Sequence, residues 1–109
     1  MDIAFRREKL RKICNDSRLL AKEYGRDRAV KIQLRLDQLR AARTLADMAT
    51  LPAARCHELQ GDRQGQLAVD LVHPWRLIFT PVEWIKNASG GLDWSKVEAV
   101  VIEEIVDYH

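Results

Sequence analysis

Five side chains in this sequence are of types that move protons around an anion: His57, Arg76, Asp107, Tyr108 and His109. An imidazole titrates near about pH 6.5, so it can take or give a proton at neutral pH. A guanidinium stays charged, and its planar fork grips the oxygens of a phosphate. Aspartate can orient an imidazole or act as a base; tyrosine can stack on a ring or bond to an oxyanion. Three of the five form the triplet Asp107-Tyr108-His109, directly after the β-type run from Val97 to Val106. Chain ends usually fray and carry little chemistry, so an apolar, strand-like end tipped with three acid–base groups is unusual. His57 precedes the turn-forming stretch Gly61-Asp62-Arg63-Gln64-Gly65, and Arg76 lies within another strand-like run. The combination suggests one site built on a sheet.

Taken singly, each of these residues has a plainer reading. His57 beside a turn can be an ordinary surface histidine, Arg76 can occupy a solvent face, and Tyr108-His109 can be a loose tail. On a regular strand Asp107 and His109 share one face, and Tyr108 the other. His57, His73, His109 and Cys56 match no known ligand spacing, so no metal or other cofactor is expected. Beyond His57, nothing beside Cys56 would lower its pKa enough to make it a nucleophile. Trp75, Trp84 and Trp94 are expected to pack in the core and the hairpin.

The elements that must position these groups follow from periodicity. Asp2 to Phe5 reads as a short first strand. Residues 6–14 read as helix, with Leu10, Ile13 and Cys14 on one stripe. Asn15-Asp16-Ser17 offers a cap for a second helix, which Gly25 closes. Residues 26–43 give the clearest helix, its core stripe formed by Ala29, Ile32, Leu36 and Leu39. Arg28, Lys31 and Arg35 share another face of that helix. A short helix over 45–49 is expected, capped by Thr44. After Pro52 the period becomes alternating. Residues 56–59 can be a strand, and Leu67, Val69 and Leu71 point opposite to Gln66, Ala68 and Asp70. Past the His73-Pro74 turn, Trp75, Leu77 and Phe79 alternate with Arg76, Ile78 and Thr80. A long hairpin loop over 84–95 then leads into the last strand. Helices first and strands after, joined by short turns, is an α+β pattern with an antiparallel sheet.

A chain of 109 residues with 47% hydrophobic content can bury one real core, so a single domain over 1–109 is expected. No apolar run has the length of a membrane span, and no signal-peptide layout opens the chain. Two cysteines without CxxC spacing fit the reduced cytoplasm. Charge is unevenly placed: residues 1–43 hold 13 Lys/Arg against 6 Asp/Glu, and residues 44–109 hold 5 against 10. The basic half either faces a polyanion, nucleic acid above all, or simply keeps two helices soluble.

The segment Cys56-His57-Glu58-Leu59-Gln60-Gly61-Asp62-Arg63-Gln64-Gly65-Gln66 resembles the HxLxGDRxG stretch of HigB-type toxins, which belong to the RelE/ParE superfamily of toxin–antitoxin modules. Trp75-Arg76-Leu77-Ile78-Phe79 and the closing Asp107-Tyr108-His109 resemble the same family, in the same order, over nearly the whole chain. The resemblance implies a small α+β fold, RelE/ParE-like, with N-terminal helices packed on a small curved antiparallel β-sheet. It implies a metal-independent endoribonuclease that cuts mRNA in the ribosomal decoding site. His57 then matches the family's catalytic histidine, Asp107, Tyr108 and His109 its C-terminal catalytic triplet, and Arg76 its phosphate-holding arginine. Arg63 of the turn and the Arg28, Lys31, Arg35 face become the candidate RNA contacts. The implied partners are the ribosome with its mRNA and a helix-turn-helix antitoxin, HigA-like, through which the complex binds operator DNA; no membrane is involved. The chain departs from the family at Gln60, where lysine is common, at Leu67, in the Val72-His73-Pro74 turn and in the long 82–95 loop. Two other readings stay open: a gyrase poison of the ParE branch, which typically lacks the histidine and the triplet, and an inactive toxin-fold protein that only binds its antitoxin.

Overall fold

The computed structural model describes residues 1–107; Tyr108 and His109 lie outside the described residues. The elements run β1 (Asp2–Phe5), α1 (Glu8–Cys14), α2 (Ser17–Tyr24), α3 (Arg26–Ala41), β2 (His57–Glu58), β3 (Leu67–Asp70), β4 (Trp75–Pro81) and β5 (Ala99–Asp107). Short 3₁₀ helices lie at Leu45–Thr50, Pro52–Ala54, Gly61–Arg63 and Trp94–Lys96. The Asp16 side chain caps α2 by accepting from the backbone N–H groups of Arg18 and Leu19 at 2.9 and 3.3 Å. Gly25, at φ 84°, ends α2 and lets α3 start at once in a new direction.

Local details differ from the sequence reading. The third helix stops at Ala41, because Ala42 is extended, and residues 45–50 wind as a 3₁₀ turn. Thr44 makes no side-chain cap there. Asp47 takes that role in part, accepting from the Arg43 backbone N–H at 2.9 Å.

The sheet has five strands in the order β1-β5-β4-β3-β2. It is mixed, not antiparallel throughout: β1 runs parallel to β5, Ile3 opposite Val100 and Phe5 opposite Ile102. A parallel pair needs a long connection, and the three helices and the rest of the sheet supply it. The β4–β5 ladder slips by one residue. Ile78 pairs with Glu104 but Phe79 with Ile102, so Glu103 is the extra residue of a β-bulge. Its carboxylate takes both arms of Arg6, at 3.1 and 3.0 Å, and the Thr80 hydroxyl at 2.7 Å.

The helices cover one face of the sheet. Ala29, Ile32, Leu36 and Leu39 of α3 join Leu67, Val69, Leu71, Leu77, Phe79, Val100 and Ile102 in the main core, as the 3.6-residue and two-residue periods require. The other face carries only a small apolar cluster, Leu59, Ala68 and Ile78 with Val106 against it. Polar and charged side chains share the rest of that face with Val101 and Ala4. No helix among the described residues is long and apolar enough to cross a membrane.

Candidate active site on the open sheet face

Paired residues of neighbouring strands point to the same side, so register fixes which side chains meet. His57 pairs with Ala68, Ala68 with Ile78, and Ile78 with Glu104. One row further along, Asp70 pairs with Arg76 and Arg76 with Val106. Both rows lie on the face away from the helices, where Ala68, Ile78 and Val106 cluster. His57 and Arg76 therefore share one face, two strands and one row apart, about 12 Å between backbones from strand spacing and rise. Two long side chains can span that gap onto one phosphate group.

The His57 ring is oriented by its neighbour's backbone. Nδ1 lies 2.7 Å from the Arg55 carbonyl oxygen, which can only accept, so Nδ1 carries the proton. Nε2 is left to face a substrate: a lone pair in the neutral ring, an N–H donor in the protonated one. Arg55 itself grips Asp70 with both arms, Nε to Oδ2 at 2.7 Å and Nη2 to Oδ1 at 3.1 Å. Arg76 Nε lies 3.5 Å from the same Oδ1. Arg63 donates to Glu104 at 2.6 Å and to Gln66 at 3.1 Å, which ties the Gly61–Arg63 turn to β5. The face thus carries three guanidiniums and an imidazole around two carboxylates.

Asp107 falls on the other side. It pairs with Trp75, whose side is that of the main core. The bulge at Glu103 is the reason: an extra residue reverses the alternation, so Ile105 and Asp107 face the helices where an unbroken strand would turn them away. Near this edge Tyr24 meets the Trp75 ring edge-on, centroids 6.1 Å apart. The Arg28 guanidinium sits 4.8 Å above the indole and donates to the Tyr24 carbonyl. Asp107 and Arg28 therefore belong with the helix side of the sheet, and the sheet does not bring them together with His57. Tyr108 and His109, the remaining members of the expected triplet, lie outside the described residues.

The basic face expected on α3 breaks up. Arg28 is exposed, Lys31 is half-buried and Arg35 is buried, 3% exposed. Arg35 spends its donors inside the protein, on the Asp70 carbonyl at 2.7 Å, the Ala53 carbonyl at 3.0 Å and the Gln38 amide oxygen at 3.0 Å. Burial pushes its pKa down and the Asp70 carboxylate opposes that shift. It is a brace between α3, β3 and the Pro52–Ala54 turn, and not a surface contact for RNA.

Neither cysteine is set up for attack. Burial pushes the Cys56 thiol up to about 12, with Glu58 adding to the shift, and Cys14 up to about 11. Both are free thiols. Among the described residues no group of three His, Cys, Asp or Glu side chains is placed to hold a metal ion. Trp75 and Trp94 pack against the core, Trp94 also donating to Glu58 at 3.0 Å, whereas Trp84 is 43% exposed on its loop.

Sequence reasoning missed Arg55, Asp70 and Glu104. The signal for Asp70 was present: it shares an alternation with Ala68, and a hairpin around His73-Pro74 puts it opposite Arg76. Arg55 gave none, since its place depends on a turn that only the folded chain shows. Comparison with protein-family models and with curated proteins finds no match to this chain.

Proposed function

We propose that this protein is a ribosome-dependent mRNA endonuclease, the toxin of a toxin–antitoxin pair, with its site on the open face of the sheet. The observation that carries the reading is the shared face of His57 and Arg76, with Nδ1 of the imidazole taken up by the Arg55 carbonyl so that Nε2 is the nitrogen left for a substrate. Together with the resemblance of the His57–Gly65, Trp75–Phe79 and Asp107–His109 segments to HigB-type toxins, that face has the parts for cleavage by the RNA's own 2′-hydroxyl. A base takes the 2′-hydroxyl proton, the 2′-oxygen bonds to phosphorus, and the bond to the 5′-oxygen breaks as that oxygen gains a proton. The products are a 2′,3′-cyclic phosphate and a 5′-hydroxyl. Arg76 stabilises the charge that builds on the non-bridging oxygens. His57 moves one of the two protons. The group that moves the other is sought in Tyr108 and His109, since Asp107 lies on the far face of the sheet. The antitoxin, a helix-turn-helix protein that takes the complex to its operator, remains the expected partner, with the cytoplasm as the compartment.

One observation favours a second reading. Arg55 and Arg76 both turn to Asp70, Arg63 turns to Glu104, and Asp107 lies on the far face. A toxin-fold protein that binds its antitoxin without cutting RNA would tolerate that arrangement. Induced expression separates the two. The nuclease reading predicts growth arrest with discrete mRNA breaks, both abolished in His57→Ala and in Arg76→Ala. Expression at high level without arrest or breaks would establish the inert binder.

A further inference from the structure

The core takes up Trp75 and Trp94 but leaves Trp84 43% exposed. A single exposed apolar side chain is ordinary. Trp84, however, lines an open cavity of about 440 Å³, within the size range of small-molecule sites. Gln60 and Gln64, at either end of the Gly61–Arg63 turn, line it with Gly90 of the loop that carries Trp84, and Glu58 and Leu59 complete it. The loop is held before anything binds. The Asn87 side chain accepts from the Ser89 and Gly91 backbone N–H groups, each at 3.0 Å, and the Asp93 N–H donates to the Ile85 carbonyl at 2.8 Å. Buried Leu92 anchors it to the core.

The lining selects the ligand. Among the described residues that line the cavity there is one carboxylate, Glu58, and no Lys or Arg, so an anion gains nothing there. The Gln60 and Gln64 amides are exposed, and each presents donors and an acceptor. An indole beside two amides fits a flat, uncharged ring with polar edges, which describes a nucleobase: the indole stacks on its face, and amides bond to its edge. Leu59 ties the cavity to the face that carries His57. Its side chain packs with Ala68 and Ile78 there, and it continues β2 by donating its N–H to the Gln66 carbonyl at 2.9 Å. It lies two residues from His57, about 7 Å along an extended chain. Arg76 lies in the row on the other side of His57. An extended nucleotide spans the distance from His57 to Leu59, so a strand with a phosphate at His57 brings a neighbouring base to the cavity.

We propose that this cavity is a nucleobase subsite: Trp84 stacks on one base of a bound single strand, beside the phosphate at His57, and the Gln60 and Gln64 amides hydrogen-bond the edge of that base. The identity of the strand as substrate rests on the nuclease reading; the stacking contact does not.

The probe is a short fluorescent single-stranded RNA with 2′-O-methyl groups, which blocks attack by the 2′-oxygen. Beside it runs an abasic strand of the same length, with every phosphate kept and the bases removed. Affinities are read by anisotropy over a salt series. Trp84→Ala is expected to weaken binding of the complete strand by about fivefold to a hundredfold. The log–log salt slope should stay as it is, because no phosphate contact is lost, and binding of the abasic strand should not change. Trp84→Phe should recover part of the loss, since it keeps an aromatic face. The double variant Gln60→Ala with Gln64→Ala, which leaves the indole in place, should also weaken only the complete strand. Val82→Ala, an apolar residue 60% exposed and outside the cavity lining, should change neither strand. Unchanged affinity in Trp84→Ala overturns the proposal. So does an equal loss on the abasic strand or in Val82→Ala, a fallen salt slope, or the absence of binding by the unaltered chain. Cleavage of ribosome-bound mRNA is run in parallel. Cutting by the unaltered chain, with affinity unchanged in Trp84→Ala, leaves the nuclease reading without this subsite; a base-dependent loss with no cutting leaves the subsite without the nuclease.

Discussion

Replacing Arg35 should unfold the protein more than any surface arginine does, without touching nucleic-acid affinity. Its guanidinium makes two hydrogen bonds to backbone carbonyls, Asp70 and Ala53, and one to Gln38, and the residue is 3% exposed. Arg35→Met keeps most of the aliphatic bulk but strands both carbonyls, which have no route to turn away. A buried acceptor left unmade costs about 1–3 kcal/mol. Relief from burying a cation works in the opposite direction, but that relief pays in full only when its acceptors are replaced as well, and here they are backbone. The net loss should be about 3 kcal/mol. With a urea slope of about 1.5 kcal/mol/M for a chain of this size, the unfolding midpoint falls by about 2 M at unchanged slope. Arg35→Lys should recover only part, since an ammonium cannot fork to two carbonyls. Where the Arg35→Met chain is still folded, the salt slope of RNA binding should match the parent's. A midpoint within about 0.3 M of the parent would refute the bracing role, and a reduced salt slope would return Arg35 to the RNA-facing surface.

Three further outcomes follow from the same geometry. Glu103 has its pKa lowered below its ordinary 4.5, first by the Arg6 side-chain bond and also by Thr80. Its contribution to stability is therefore fully present above that value and is lost as pH falls through the lowered one; Glu103→Gln should lower stability near neutrality, flatten this part of an acid unfolding curve and converge with the parent at low pH. Cys56, pushed up to about 12 from an ordinary 9.0, should react with iodoacetamide about a thousandfold more slowly in the folded protein than in denaturant at mildly alkaline pH, as mass spectrometry would show. Glu104→Gln removes a charged partner of Arg63 and should raise hydrogen exchange in the Gly61–Arg63 turn, whereas β1 should stay protected.

Much of the fold was legible where a residue's neighbours are set by local period. The stripe Ala29, Ile32, Leu36, Leu39 and the alternation Leu67, Val69, Leu71 name the main core because helix and strand geometry leave those side chains no other side. The direction of β1 was not legible: a four-residue strand carries no mark of parallel or antiparallel pairing, and its partner lies at the far end of the chain. Arg35 looked like a member of a basic face because spacing alone cannot show that two carbonyls await it. The site divides the same way. His57 and Arg76 were candidates from residue type and motif, and strand register puts them on one face, whereas the contact of Arg55 with His57 depends on an unusual backbone conformation. Asp107 is the most instructive case. Ile102-Glu103-Glu104-Ile105 breaks the apolar alternation by one residue, and that break, visible in the sequence, is the bulge that moves Asp107 to the helix side.

Ribosome-dependent cleavage by His57 and its neighbours is tested most directly with purified protein, a defined mRNA and primer extension, with and without ribosomes, beside His57→Ala. Breaks are expected only when ribosomes are present, ending in a cyclic phosphate, with a loss of about 10²–10⁴-fold in His57→Ala. Breaks that survive His57→Ala unchanged, or an intact mRNA under every condition, would contradict it.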